Sequence, residues 1–594
     1  MGVGPVRTSI EPSPQEERLD SWKDIATYLK RSVPTVQRWE KEEGLPVHRH
    51  LHKKQGSVYA YKPELDSWLE LRRTADSTED EKDGPPPAAT DEIREKPVPP
   101  RATVAAIVVA LLVIAGWLMI RGQSPGQAAQ RRVMVAVLPF QNLGGGPELD
   151  YVCDGMTEEL ITELAALDPK QLGIIARTSA MVYKSGGVSV HDIGKQLGVE
   201  YVVEGSILFA EGESRITVQL IRVSDQSHLW AHTYDGKIEK LLGVEQEISR
   251  AVAEEVNVHV SAPSSSANAR SSSDPEAYRL YMQARQLWYK RSQDDLEKSI
   301  ELLDGAVKRD PQFAPAYAAL ADSYNQLGYL GFRPLGLTIP KAQQAAQKAL
   351  ELNPRSAEAH ADLGFINAMW LWEWNQAETH YQRAIELDPL YVPAHHYYAL
   401  FLASAGRLKE AEQQMEIALK LDPLAASVNS GAAYVWYFDH QYDRSIEYCQ
   451  RALQLDPQFA IAHALLGWNY TQGKQFSAAI NELKRSLDLS PDNPLYVATL
   501  ARAYILNGQG TEADRILRQL DDLSKKKWVG GTAKAIVYAA KGDREQTMQW
   551  LESAAKQEDG LMLWLKVTPE FDTMRSDQRF QKLLEQLKLP PSIQ

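Results

Sequence analysis

The chain has 594 residues, enough for several domains, and its 65 basic against 78 acidic residues leave a net charge of −13. That balance excludes a protein that coats nucleic acid along its whole length. The two cysteines, Cys153 and Cys449, exclude a disulfide framework or a thiolate metal site. No HExxH, CxxC, Walker loop, nucleophile elbow or kinase motif occurs, so neither an enzyme, a catalytic residue nor a cofactor is expected.

Residues 1–17 are rich in Pro, Ser and Glu, a composition that does not fold. Residues 20–50 then read as two short helices joined by a tight turn. Ser21 is placed to cap the first helix, whose apolar stripe is Ile25, Ala26 and Leu29. Arg31 and Ser32 make the turn, and Pro34 sits in the first turn of the second helix, where its missing N–H costs nothing. Val33, Val36 and Trp39 point inward, which leaves Thr35, Gln37, Arg38 and Lys41 on the open face. Residues 45–61 are expected to form a hairpin turning near Lys54–Ser57, and Pro63 opens a last helix with Leu65, Trp68 and Leu69 apolar.

On Ile25-Ala26-x-x-Leu29, Ser32-x-x-Thr35-Val36-x-Arg38-Trp39, Gly44-Leu45-Pro46, Tyr59-Ala60-Tyr61 and Leu65-x-x-Trp68-Leu69, residues 18–73 resemble the winged helix-turn-helix of the MerR and phage-excisionase families. The resemblance implies a second helix in the major groove and a wing along the backbone. It makes Thr35, Gln37, Arg38 and Lys41 the base or phosphate readers and Arg49, Lys53 and Lys54 the wing contacts. Twelve Lys/Arg against eight Asp/Glu in this segment suit contact with phosphates, double-stranded DNA being the expected partner. The competing reading is a helix-turn-helix that contacts protein. His48, His50 and His52 alternate on one face of a strand but have no further ligand nearby, so no metal is assigned.

Residues 74–101 are acidic and Pro-rich, a tether. Residues 102–120 carry no charge and ten Val, Ile or Leu, between Arg101 and Arg121. A helix of that length spans roughly 28 Å, the thickness of a bilayer core, so a single transmembrane helix is expected.

Residues 131–258 read as an α/β domain. Val133–Phe140 is a nearly continuous apolar strand, Met156–Leu167 an amphipathic helix with Asp154 or Thr157 near its start, and Val190–Leu197 a second helix. Strands at Leu172–Ala176, Tyr201–Phe209, Arg215–Arg222 and Ser227–Tyr234 and a helix from about Lys240 to Val256 complete it. On Val135-x-Val137-Leu138-Pro139-Phe140, Asp154-Gly155-Met156, Tyr201-Val202-Val203-Glu204-Gly205-Ser206 and Leu229-Trp230-Ala231 it resembles the TolB amino-terminal type of domain. Such domains follow the membrane span in CadC-like regulators and occur in some adenylate cyclases; the resemblance transfers no catalytic residue. Gly144-Gly145-Gly146 lacks the Lys-Ser/Thr of a phosphate loop and reads as a turn.

After a linker at 259–273, prolines at 311, 354, 389, 423, 457 and 491 set a period that settles at 34, that of tetratricopeptide repeats. Residues 274–590 are read as about eight such repeats, an all-α solenoid, with the second lengthened at Gly328–Pro340. Small residues at Ala411, Ser445 and Ala479, and at Ala418, Ala452 and Ser486, let paired helices approach. Trp370, Trp372 and Trp374 read as packing at a helix–helix turn, and His360, His395 and His463 as facing neighbouring helices. Taking positions 2, 5, 9 and 12 of each first helix as groove-lining, as in the family, gives His396, Tyr434, Tyr437, Trp468 and Arg502 as a surface for a protein or peptide.

The whole is a multidomain chain with CadC-like architecture. It is expected to be a membrane-anchored one-component transcription regulator, with its N-terminus cytoplasmic and the repeats outside the bacterial inner membrane. A membrane-tethered interaction scaffold is the alternative. A second copy of the chain counts among the expected partners. Lys82, Arg94, Lys96 and Arg101 on one side against Arg121, Arg131 and Arg132 on the other give almost no orienting bias, so the orientation follows from the need to reach DNA.

Overall fold

The computed structural model describes residues 18–19, 21–31, 33–42, 45–49, 58–62, 64–66 and 68, and residues 132–588 apart from 211–212, 237–243, 257, 259–271, 273, 290–291, 330–331, 334, 492, 527–528 and 558. These fall into two units, Met1–Gln123 and Ser124–Gln594. The expected tether and membrane span, and Lys53 and Lys54 of the wing, lie outside the described residues. Among the described residues no helix is long and apolar enough to cross a membrane.

In the first unit, α1 (Trp22–Tyr28) starts where Ser21 Oγ accepts from the Asp24 N–H, relieving one of the unpaired donors of a helix start. Ile25, Ala26 and Leu29 are buried. Lys30 takes a left-handed φ of 50° and turns the chain into α2 (Val33–Glu42), whose Val36 and Trp39 complete the core with Leu45 and Leu65. Trp68 lies 5.5 Å from Trp39, ring to ring. The hairpin strands β2 (His48–Arg49) and β3 (Val58–Tyr61) pair antiparallel. The sheet also gains β1 (Arg18–Leu19), which pairs with β3 from its other side. A two-residue strand has no periodicity to announce it.

The α/β domain holds a mixed sheet in the order β6-β4-β7-β8-β9, with β5 beside β7. Here β4 is Val133–Val137, β5 Gln141–Leu143, β6 Leu172–Ile174, β7 Tyr201–Ala210, β8 Glu213–Arg222 and β9 His228–Gly236. β4 runs parallel to β6 and β7, and its apolar run is explained by burial on both sides. One face packs on α3 (Asp150–Leu167) and a helix at Glu245–Glu255 through Met156, Leu160, Leu164, Ile248 and Val252. The other packs on short helices at Arg177–Met181 and Val190–Leu197 through Ile193 and Leu197. Helix α3 begins six residues before the expected Met156, so Asp154 and Thr157 lie buried within it rather than capping it. Thr157 Oγ donates to the Cys153 carbonyl and accepts from the Phe140 N–H, tying helix to strand. The helix at Arg177–Met181 was not expected.

Eight antiparallel helix pairs follow among the described residues, from Pro275–Trp288 with Gln293–Arg309 to Gly531–Ala540 with Arg544–Lys556. The second pair carries Pro340 inside its lengthened second helix, Leu335–Leu352. Small residues sit where the helices touch: Ala411, Ala418, Ser445, Ala452, Ala479 and Ser486 are fully buried. The recurrent histidines His360, His395 and His463 staple the three pairs that carry them. His395 Nε2 contacts the Pro389 carbonyl at 3.1 Å while Nδ1 contacts Gln414 at 2.7 Å; His463 does the same with Pro457 and Glu482. The pairs stop at Lys556, short of the expected 590. Residues 560–574 form two 3-10 turns and lead into a helix at Gln578–Leu587, which folds back on the repeats instead of extending them.

Candidate functional site

The first unit presents α2 as its candidate DNA-reading element. Arg38 is exposed on it, Thr35 and Gln37 are half-buried, and Lys41 closes it near Glu42. Arg49 lies on β2, opposite Val58. The expected wing contacts Lys53 and Lys54 lie outside the described residues.

In the second unit the first helices of the repeat pairs form a concave surface that divides into two parts. Toward the C-terminus the chain fills the surface itself. Trp564 stacks on Phe438 at 5.1 Å and on Tyr434 at 6.3 Å. Tyr437 donates to Glu570 at 2.6 Å, and Lys566 Nζ donates to the Ala405 carbonyl at 2.7 Å. Trp374 donates from Nε1 to the Leu587 carbonyl at 2.8 Å, and Trp372 stacks beside Trp374. The tryptophan cluster is thus packing, as its position at a helix–helix turn suggested, but its counterpart is the end of the chain.

This placement corrects part of the expected partner groove. Tyr437, Trp468 and Arg502 are 1%, 6% and 8% exposed. Tyr437 and Trp468 lie with Tyr434 in one aromatic cluster, with ring centroids about 6 Å apart. Burial pushes the Tyr437 hydroxyl above its ordinary range; the Glu570 carboxylate adds to this and nearby Arg502 opposes it. A period-34 pattern identifies concave positions but carries no information about an irregular segment more than a hundred residues away.

Toward the N-terminus the concave surface stays open as a cavity of about 710 Å³, walled by the repeats and by α3 of the α/β domain. His396 and Tyr434 line it, together with Tyr281, Tyr397, Asp322 and Glu358. At its wall Arg285 pairs with Glu158 at 2.8 Å, and the Arg177 guanidinium sits 4.1 Å over the Tyr289 ring. Burial works against the Glu158 charge, but Arg285 and Arg177 outweigh it and hold the carboxyl below its usual range. Asp362, behind this wall, is pushed up by burial and by the neighbouring Asp322. Aromatic walls and a few polar groups describe a ligand pocket of ordinary size. The two domains are latched beside it: Ser179 donates from Oγ and N to Asp422 Oδ1, and the Ala176 N–H to the Leu421 carbonyl. None of these groups carried a motif; Arg177, Arg285 and Asp422 are legible only once the domains are docked.

Comparison with known proteins agrees with this division. Residues 130–250 match the family model described as HilA/YgeH-like transcriptional regulator, second domain. Tetratricopeptide-repeat models match residues 380–413, 439–496 and 470–526. "Putative adenylate cyclase 3" of Rhizobium meliloti is 33% identical over 250 residues, 41% of this chain and 41% of that protein. Transcriptional regulator HilA of Salmonella typhimurium is 30% identical over 118 residues, 20% of this chain and 21% of that protein. The chain thus spans less than half the length of these relatives. Among solved structures, a thermophilic tetratricopeptide-repeat protein of Thermus thermophilus is similar at 19% identity with a TM-score of 0.28, covering 32% of this chain and 98% of that one. The chain carries a HilA/YgeH-like regulator second domain followed by tetratricopeptide repeats.

Proposed function

We propose that the chain is a one-component transcription regulator anchored in the bacterial inner membrane by residues 102–120. Its first unit, a MerR-type winged helix-turn-helix, reads double-stranded DNA in the cytoplasm. Its α/β domain, of the TolB amino-terminal-like kind, and its repeats lie on the other side and take up a protein or peptide. The observation that carries this reading is the match of residues 130–250 to a domain of HilA-like regulators, in a chain whose separate first unit exposes Arg38 on its second helix. No catalytic step is assigned. The segment shared with the R. meliloti protein is less than half of that protein.

The test is retention of a DNA fragment from the gene's own upstream region by the full chain. Arg38→Ala should weaken specific binding by about 1–3 kcal/mol, as expected for loss of a base contact. Lys53→Ala should weaken all sequences alike and reduce the salt dependence. Unchanged binding in both variants would remove the proposed docking. Fusions of alkaline phosphatase after residue 260 and after residue 75 test the orientation; activity only at the second would reverse it.

A further inference from the structure

β9 is the outer strand of its sheet. It pairs with β8 on one side from Gly236 to His228, and among the described residues no strand pairs with its other side. Nine residues at about 3.3 Å each make an open edge of roughly 30 Å. Proteins blunt such edges with Lys, Pro or bulges. The sequence HLWAHTYDG has no Lys, Arg, Glu or Pro. Its one charge, Asp235, is already held by Arg215 through Nε at 2.6 Å and Nη2 at 3.1 Å. The only irregularity lies near Leu229, at one end.

We infer that this edge is a dimerisation surface for a second copy of the chain, the two β9 strands pairing antiparallel to make one continuous sheet. The strand is self-complementary, which selects a copy of itself over a foreign strand. A two-fold axis at its midpoint, His232, pairs the regular stretch Trp230–Tyr234 with its own copy. It sets Trp230 opposite the partner's Tyr234, Ala231 opposite the partner's Thr233, and His232 opposite the partner's His232, with no like charges facing. Within one chain Trp230, His232 and Tyr234 already form an aromatic row, His232 lying 6.1 Å from Trp230 and 4.7 Å from Tyr234. Residues 231–233, at the middle of the strand, are exposed. Aromatic cross-strand pairs and a closed edge both favour the pairing. The inference does not depend on DNA binding, although a dimer would carry two copies of the first unit.

The experiment measures the mass of the full chain, solubilised in neutral detergent, by light scattering at about 10 µM protein. Wild type should have twice the mass of the monomer. His232→Glu and His232→Lys each place like charges face to face at the axis and should halve the mass. Co-expressed with different tags, the two variants should co-purify one-to-one, because opposite charges then meet. A monomeric wild type overturns the inference. So does either variant remaining dimeric, or two monomeric variants that fail to co-purify; DNA binding enters none of these readings.

Discussion

Tyr437 donates its phenol hydrogen to Glu570 across 2.6 Å, joining the fifth repeat pair to the C-terminal segment. Glu570 is 9% exposed, so removing its donor leaves a buried carboxylate poorly satisfied. Tyr437→Phe should cost about 1–3 kcal/mol. Trp564→Ala, which removes the stacking on Phe438 and Tyr434, should cost about 2–4 kcal/mol. Hydrogen exchange checks both: residues 560–575 should lose protection while the helix at Tyr442–Leu455 keeps it. Uniform protection in Trp564→Ala would mean that the stack does not hold the segment.

Asp422 predicts a pH dependence of domain docking. Burial raises its pKa from 3.8 to about 6, and the hydrogen bonds from Ser179 only partly oppose this. The folded chain therefore holds the proton more tightly than the unfolded chain. The stability it contributes is fully present below about pH 4 and is lost as pH rises through 6, by up to about 1.4 kcal/mol per pH unit. Asp422→Asn keeps the Oδ1 acceptor and should flatten that part of the curve. Melting temperatures between pH 4 and 7 would show whether the difference between variant and wild type grows with pH.

The His360–His380 pair predicts the opposite slope. Their Nδ1 atoms are 2.9 Å apart. Burial, with His360 adding to it, lowers His380 from 6.5 to about 4, and burial also lowers His360. The unfolded chain then takes up protons first. Stability is intact above about pH 6.5 and falls as the solution is acidified toward 4, with solvent trimming the effect at these partly exposed rings. His380→Gln should lose less stability over that window than wild type; an unchanged slope would assign the acid sensitivity elsewhere.

Gly205 on β7 predicts a packing defect. A Cβ there would lie 2.3–2.6 Å from the ring of Phe140, itself 2% exposed. Gly205→Ala should cost about 1–3 kcal/mol through the forced shift of that ring. Gly186→Ala, which would meet nothing within 4 Å but has a φ of 71°, should cost only its backbone strain, about 1 kcal/mol. Chemical denaturation of the two variants side by side checks the order.

What could be read from the sequence follows from where each signal resides. The repeats were legible because one proline per 34 residues marks one helix pair, and Ala or Ser at the contacts follows from helices packed at close range. The core of the first unit was legible because Ile25, Val36 and Trp39 obey a helical period. β1 was not, since Arg18 and Leu19 pair with residues more than forty positions away and show no pattern of their own. The start of α3 was misplaced because Asp154 and Thr157 read as residues near a helix start, whereas both are buried within the helix. Gly155 beside them leaves room for Met282 of the first repeat, whose Cε would lie 1.7 Å from an added Cβ. The filled half of the groove was hidden for a similar reason. Glu570 and Trp564 belong to no period, and their partners are set only by tertiary structure.

The bond from Trp374 to the Leu587 carbonyl spans 213 residues. A linear repeat array frays from its ends, because each unit touches only its neighbours. Here the last helix is fastened to the third pair, so the terminal units cannot peel away one at a time. The array should melt from the third pair onward as one cooperative block, and cutting the chain after Lys556 should restore stepwise fraying.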